Sequence, residues 1–492
     1  MISPRAVERW VAAAGLSALL AGCLVGPTYK TPAPLAPPTQ AFVSPASPAV
    51  SLDQPPPDWW RLYDTPALNQ LVQAALVHNT SLQAAAADLA QARAALDLAR
   101  ANRFPTTALS AGAQYGVSSN AQLVDQLEHR GPASPGAYYE TGLDVSYEVD
   151  LFGRIRRGVQ AAKADYQAQA AAEDAARVSV AGETTRAYLD ACAYAEELGV
   201  AQNSLDVAEQ TYQVTLKQAK DGTASDFDVA RAREAAERIR ASLPAFDAQH
   251  RVALFQLSVL TGRPPEAVSE AAAACAVPPK LTSPLPVGDI QSLFKRRPDV
   301  REAERRLAAD VARVGVATAD FYPTITLGAS GATAGSKLSQ LGAPAYVNYL
   351  LGPLLNWSFP NTLVALGEIR QARAAASGDY ANFEGAVLQA LQDAEDALTT
   401  YDDELKRNAA LDAARDQSQT AFKLAQERYR LGSIAYLDLL TAQSDLVSAS
   451  ADLAASDQAL VSDQVTVFKA LGGGWQQAPA ISPPSVRDWS QK

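Results

Sequence analysis

From Tyr139 to Val149 the chain alternates without a slip. Tyr139, Thr141, Leu143, Val145, Tyr147 and Val149 fall on one register, and Glu140, Gly142, Asp144, Ser146 and Glu148 on the other. Period two is the spacing of a strand, with aromatic and aliphatic side chains on one face and acids on the other. With the stretch from Thr106 to Val117, it predicts a strand pair over 106–149. Twelve residues at about 3.3 Å each reach about 40 Å, enough to cross a bilayer at a tilt. A polar face turned inward and aromatics turned outward suit the wall of a water-filled barrel, which makes Glu140, Asp144 and Glu148 candidate lumen residues. A second pair is predicted over 324–359, with weaker alternation around Gly352-Pro353.

Elsewhere the period is seven. Leu439, Leu446, Leu453, Leu460 and Val467 form one stripe, and Ala232, Ile239, Phe246, Ala253 and Leu260 form another. A repeat of seven keeps one seam against a partner and imposes left-handed supercoiling. Helices are predicted over 226–260, kinked by Pro244, and over 435–471. His250, on the first seam, reads as a satisfied packing residue. No proline interrupts 154–220, and an unbroken helix there would be about 100 Å long at ~1.5 Å per residue. The stretch 362–431 is its counterpart.

The chain repeats itself. At an offset of 218, Leu89 meets Leu307, Leu96 meets Val314 and Phe104-Pro105 meets Tyr322-Pro323. At an offset of 210, Gly222 meets Gly432, Asp228 meets Asp438 and Gly262 meets Gly472. The first half therefore carries eight extra residues in the polar loop Leu123 to Pro135. The implied organisation is a signal peptide over 1–22, a proline-rich leader over 23–57, a first repeat over 58–262, a linker over 263–296, a second repeat over 297–471 and a tail over 472–492. Each repeat reads helix, strand pair, long helix, turn and returning helix, so the fold class is mainly α with membrane β.

Composition narrows the function. A net charge of −11 and three histidines argue against a nucleic-acid binder and against hydrolytic metal chemistry. No Ser/His/Asp set, phosphate loop or ligand cluster points to an enzyme, and no cofactor is expected. With Met1 as the sole methionine, a methionine-lined metal path is excluded, although a passive duct serving a metal pump is not. Beyond Cys23 no apolar run approaches the ~20 residues of a spanning helix.

The start of the chain sets an address. Arg5 and Arg9 precede an apolar stretch that ends in Leu20-Ala21-Gly22-Cys23, a short secretory signal. This ending resembles a bacterial lipobox, which implies that Cys23 becomes the first mature residue and carries diacylglycerol and an N-acyl chain. Leu24 follows it rather than the aspartate that resembles an inner-membrane retention signal. The mature net charge is then −11 − (+2 − 1) = −12. Cys192 and Cys275 remain in an oxidising compartment. They read either as a disulfide or as two buried thiols, since spacing does not fix pairing.

Two tight turns, 220–225 and 431–435, join the helix pairs, and Gly222 and Gly432 permit the positive φ they need. Asp226, Asp228 and Asp438 follow in the first turn of each returning helix. They can cap the helix and balance its dipole, or they can form a ring of charge in an assembly. Four strands cannot close a barrel in lipid, because an open edge is forbidden there. Several copies must therefore share one.

With Asp58-Trp59-Trp60, Asp150-Leu151-Phe152-Gly153-Arg154, Arg297-Pro298-Asp299-Val300, the stretch Tyr429–Asp438 and Leu471-Gly472-Gly473-Gly474-Trp475, the mature chain resembles the TolC-like outer-membrane efflux lipoproteins of the NodT-type branch. The resemblance implies a homotrimer with a twelve-stranded barrel continued by a twelve-helix periplasmic tunnel. It further implies the exit duct of a tripartite pump, with an inner-membrane transporter and a periplasmic adaptor as partners and outer-membrane lipid around the strands. Gly222, Asp226, Asp228, Tyr429, Gly432, Tyr436 and Asp438 would then form the periplasmic gate and the adaptor-docking tip. Thr441 and Ile434 depart from the family's second gate acid and its arginine. Two rival readings share the pattern: the same channel fold used for metal-ion export or protein secretion, and a structural lipoprotein tethering the envelope layers. The latter would not need strands with acids on one face and aromatics on the other.

Overall fold

The computed structural model describes residues 24–32, 42–43, 48–117, 122, 127, 134–360 and 362–483. Cys23 and most of the loop 123–135 lie outside these residues. The elements run β1 (Val50–Ser51), a 3-10 turn at Trp59–Tyr63, α1 (Pro66–His78), α2 (Thr80–Ala101), β2 (Thr106–Gly116), β3 (Gly136–Val149), α3 (Arg154–Lys220), α4 (Asp226–Arg240), α5 (Leu243–Leu260), α6 (Glu270–Ala273), β4 (Leu285–Pro286), α7 (Ile290–Arg296), α8 (Pro298–Ala319), β5 (Thr324–Gly335), β6 (Val347–Asn356), α9 (Leu363–Arg430) and α10 (Tyr436–Ala470).

The single helix expected over 226–260 is two. The chain turns at Ala241 and Ser242, and Pro244 sits in the first turn of α5, where a missing N–H costs nothing. The break thus falls just before the proline rather than as a kink at it. On α5, His250 Nε2 is buried without a hydrogen-bond partner among the described residues, so the histidine packs but is not fully satisfied.

The two sequence halves are not the compact units of the fold. One unit comprises residues 1–32, 91–167 and 304–382, and the other comprises 33–90, 168–303 and 383–492. The reason lies in strand pairing. In the first unit β2, β3, β5 and β6 form one antiparallel sheet in that order, and the central pair β3–β5 joins strands from different halves, with Leu143 opposite Gly331.

The second unit is helical, and its core gathers motifs that are distant in sequence. Trp59 stacks on Phe468 with ring centroids 4.5 Å apart. Gly473 and Gly474 lie against the Trp59 and Trp60 rings, where a Cβ would come within 3.1–3.5 Å. Arg297, itself buried, donates to Asp299 at 2.9 Å, to Asp393 at 2.8 Å and to the Ala470 carbonyl at 2.9 Å. A buried guanidinium requires such partners. Trp475 donates to the Arg296 carbonyl at 2.9 Å and lies under Arg301. The leader also joins this unit, with β1 pairing in parallel with β4. Cys192 and Cys275 are bonded to each other, their Cα atoms 5.0 Å apart, and tie α3 to the segment after α6.

Candidate functional site: the sheet faces and the two helix turns

In an antiparallel sheet, directly opposed residues share a face. Glu140 stands opposite Gly112 and Ala334, Asp144 opposite Ala108 and Ser330, and Glu148 opposite Thr326. The three acids therefore share one face with small and polar side chains, where Gln114 donates to Glu140 at 3.4 Å. Leu350 and Leu354 on β6 interrupt that face. The other face carries Leu109, Tyr115, Leu143, Leu327, Tyr349, Leu351 and Leu355, all exposed. Leu109 is 80% exposed and Tyr349 86%, values that water would penalise and hydrocarbon would not. The three acids differ in setting. Glu140 and Asp144 are exposed, whereas Glu148, at the strand end, accepts from Arg154 Nε at 2.8 Å.

The sheet end nearest the helices carries an aromatic on every strand: Phe104 before β2, Phe152 after β3, Phe321 and Tyr322 before β5, and Trp357 and Phe359 after β6. Phe152 stacks on Tyr322 at 4.5 Å, Trp357 on Phe359 at 4.8 Å, and Trp357 donates to the Phe321 carbonyl at 3.3 Å. Rings at one level of a sheet mark a membrane–water interface. The signal was present in the sequence as aromatics flanking each strand, but it needed the register to line them up. Among the described residues no helix is long and apolar enough to cross a membrane. Among those residues, too, no group of three or more His, Cys, Asp or Glu side chains is placed to hold a metal ion.

In the helical unit the two turns are brought together. Gly222 has φ +78° and Gly432 φ +69°. Their loops close in the same way: Thr223 N–H donates to the Gln218 carbonyl at 2.8 Å, and Ser433 N–H to the Arg428 carbonyl at 2.9 Å. Asp228 and Asp438 both cap. Asp228 accepts from Ser225 N–H at 3.1 Å while its own N–H donates to Ser225 Oγ at 3.2 Å. Asp438 accepts from Ala435 N–H at 3.1 Å. Asp226 is exposed. The Tyr429 hydroxyl donates to Gln218 Oε1 on α3, and its ring meets that of the buried Tyr436 at 5.7 Å. Burial, and then the nearby Asp228 charge, raise the Tyr429 phenol above its ordinary value. Burial likewise raises Tyr436. Both phenols are therefore neutral. Gln218 and Thr215, the α3 residues beneath these rings, carried no signal in the sequence.

A mainly helical chain with long helices and a four-stranded sheet, polar on one face and apolar on the other, is the fold of a TolC-like outer-membrane channel. The chain belongs to the outer membrane efflux protein family, whose profile matches residues 71–263 and 290–473. It is 30% identical over 477 residues to the toluene efflux pump outer membrane protein TtgC of Pseudomonas putida, covering 93% of this chain and 94% of that one. It is 29% identical to nodulation protein T of Rhizobium leguminosarum bv. viciae, covering 96% and 95%. Among solved structures, the outer-membrane channel OprN superposes with a TM-score of 0.84 at 32% identity, covering 92% of this chain and all of that one. The chain is thus an outer-membrane efflux channel.

Proposed function

We propose that this channel is the exit duct of a tripartite pump, passively conducting small molecules that an inner-membrane transporter passes on through a periplasmic adaptor. The observation that carries the reading is the sorted sheet with both edges unpaired among the described residues. An apolar face suits lipid, a face holding Glu140 and Asp144 suits water, and the free edges of β2 and β6 call for further copies. Three copies would close a twelve-stranded barrel, and their long helices would form a twelve-helix tunnel. Cys23, acylated, would anchor each copy in the outer membrane. The turns around Gly222 and Gly432 would form the periplasmic tip that meets the adaptor, with Asp226, Asp228 and Asp438 supplying a ring of charge. Two relatives of nearly equal identity are named for toluene efflux and for nodulation, which supports a duct whose cargo is chosen upstream.

The test is conductance of the purified full-length protein in planar bilayers. Cation-selective channels are expected, with selectivity reduced in Asp438→Asn, which keeps an oxygen to accept from Ala435 N–H but removes the charge. No conductance from folded, trimeric protein would overturn the duct.

A further inference from the structure

The strongest unexplained feature lies in the first unit, immediately after Cys23. Arg157 is buried at 2% exposure, yet among the described residues no carboxylate pairs with it. Its donors go to backbone and amide oxygens: Nε to the Val25 carbonyl at 3.2 Å, one terminal nitrogen to the Gly26 carbonyl at 3.1 Å and the other to Gln160 Oε1 at 3.0 Å. A guanidinium fork matches two neighbouring acceptors better than any other side chain. Burying it without an anion is costly, so the fold gives up stability to hold two carbonyls of the leader.

Three glycines complete the fit. Gly26 has φ +80°, and a Cβ there would come 2.6 Å from the Gly315 Cα. A Cβ on Gly315 would strike the Arg157 side chain at 2.7 Å, and one on Gly153, φ +82°, would strike Leu24 at 2.4 Å. Val25 N–H donates to the Phe152 carbonyl at 3.3 Å, and the Phe152 ring belongs to the aromatic level described above. Three residues on, Tyr29 hydrogen-bonds Glu304, lies under Arg305 and packs on Ala164, Ala308 and Ala309.

We propose that Arg157, Gly153 and Gly315 form a seat for residues 24–26 that fixes the acyl anchor of Cys23 at the helix-side aromatic level of the sheet. The acyl chains then enter the membrane beside β3 rather than at the end of a free tether. Cys23 is one peptide unit, about 3.8 Å between Cα atoms, from the seated Leu24. Arg157 is here a positioning residue for a lipid ligand. The inference rests on the acylation of Cys23 proposed above.

The test uses the full-length protein extracted from outer membranes, comparing wild type with Gly26→Val, Arg157→Ala and Arg157→Lys. Two readouts are taken: the mass of the N-terminal peptide, and hydrogen exchange of residues 24–30 with α3 as the folding control. An acylated peptide is expected in every variant. The Val25 amide should exchange at least about tenfold faster in Gly26→Val and Arg157→Ala, with partial rescue in Arg157→Lys and α3 unchanged. An unmodified Cys23 in wild type would overturn the anchor itself. An acylated wild type whose Val25 amide exchanges as in a free peptide would overturn the seat alone, as would Gly26→Val with unchanged exchange.

Discussion

The two helix turns are one backbone solution dressed in two ways. At the offset of 210, Gly222 falls on Gly432 and Asp228 on Asp438, and the closing hydrogen bonds superpose pair by pair. The side chains do not follow. Ser225 falls on Ala435, so the first turn has a reciprocal capping box and the second only its carboxylate half. Asp226 falls on Tyr436, so where the first turn is exposed, the second buries an aromatic against α3. Both turns share the local backbone closure, to which the first adds its reciprocal cap and the second the Tyr429–Gln218 hydrogen bond across 211 residues of sequence. A device that must open would show such asymmetry, one end of the pair hinged on the other.

The largest test of that contrast is truncation of the packed ring. Tyr436→Ala should cost about 3 kcal/mol, the range of large buried aromatics, read as faster hydrogen exchange in the first turn of α10. Asp226→Ala, at the matching position, should stay within about 0.5 kcal/mol, as exposed substitutions do. The Tyr436 hydroxyl is buried without a hydrogen-bond partner among the described residues. Tyr436→Phe should therefore be neutral or slightly stabilising. Equal losses at 226 and 436 would mean that the turns are held alike.

Next come the glycines, which should not discriminate. An added Cβ meets nothing within 4 Å at either Gly222 or Gly432, so alanine adds only the left-handed strain of about 1–2 kcal/mol at each. Matched thermal shifts are expected from Gly222→Ala and Gly432→Ala. A much larger loss at 432 would show that a neighbouring copy packs there.

How far these differences were legible follows from the distance over which each is made. The offset, the turn glycines and the capping acids are local, and the sequence carries them as spacing. The strand faces were legible at Tyr139–Val149, where alternation is strict, and blurred on β6, where Leu350 and Leu354 sit on the polar face. Gln218, Thr215 and Arg157 were not legible, because each works through a contact with a chain segment more than a hundred residues away. The pairing of the two halves in one sheet was not legible, since nothing local in β3 or β5 specifies that they pair. The division of 226–260 was anticipated as a kink only, because a proline marks a permissive site and not the turn beside it.

Capping is the next smaller contrast. Ser225→Ala removes the half of the box that the second turn lacks and should cost about 1 kcal/mol. Ala435→Ser supplies that half and should gain up to about 1 kcal/mol. The pair of changes would exchange the cap chemistry of the turns while leaving Tyr436 in place, and exchange rates at Asp228 and Asp438 would report it. Failure of Ala435→Ser to slow exchange would place the second turn's stability entirely in its packed rings.

The smallest effect is the response to alkali. Residues 221–228 contain no tyrosine, whereas the second turn contains Tyr429 and Tyr436, both raised above the ordinary phenol value of 10.0. A group whose folded pKa is raised holds its proton more tightly when folded. Its contribution is fully present below the unfolded value and is lost as pH climbs through the folded one. The window therefore opens near pH 10 and lies above it. Tyr429 is partly open to solvent while Tyr436 is buried, and both sit at a helix end, so the loss is a fraying rather than an unfolding. Exchange in the first turn of α10, corrected for its intrinsic pH dependence, should accelerate above pH 10 while the first turn of α4 holds. Tyr429→Phe should blunt the effect by removing one of the two raised phenols, at the cost of its bond to Gln218. Parallel acceleration of both turns would show that the alkaline response arises elsewhere in the helical unit and that the rings do not set the difference between the turns.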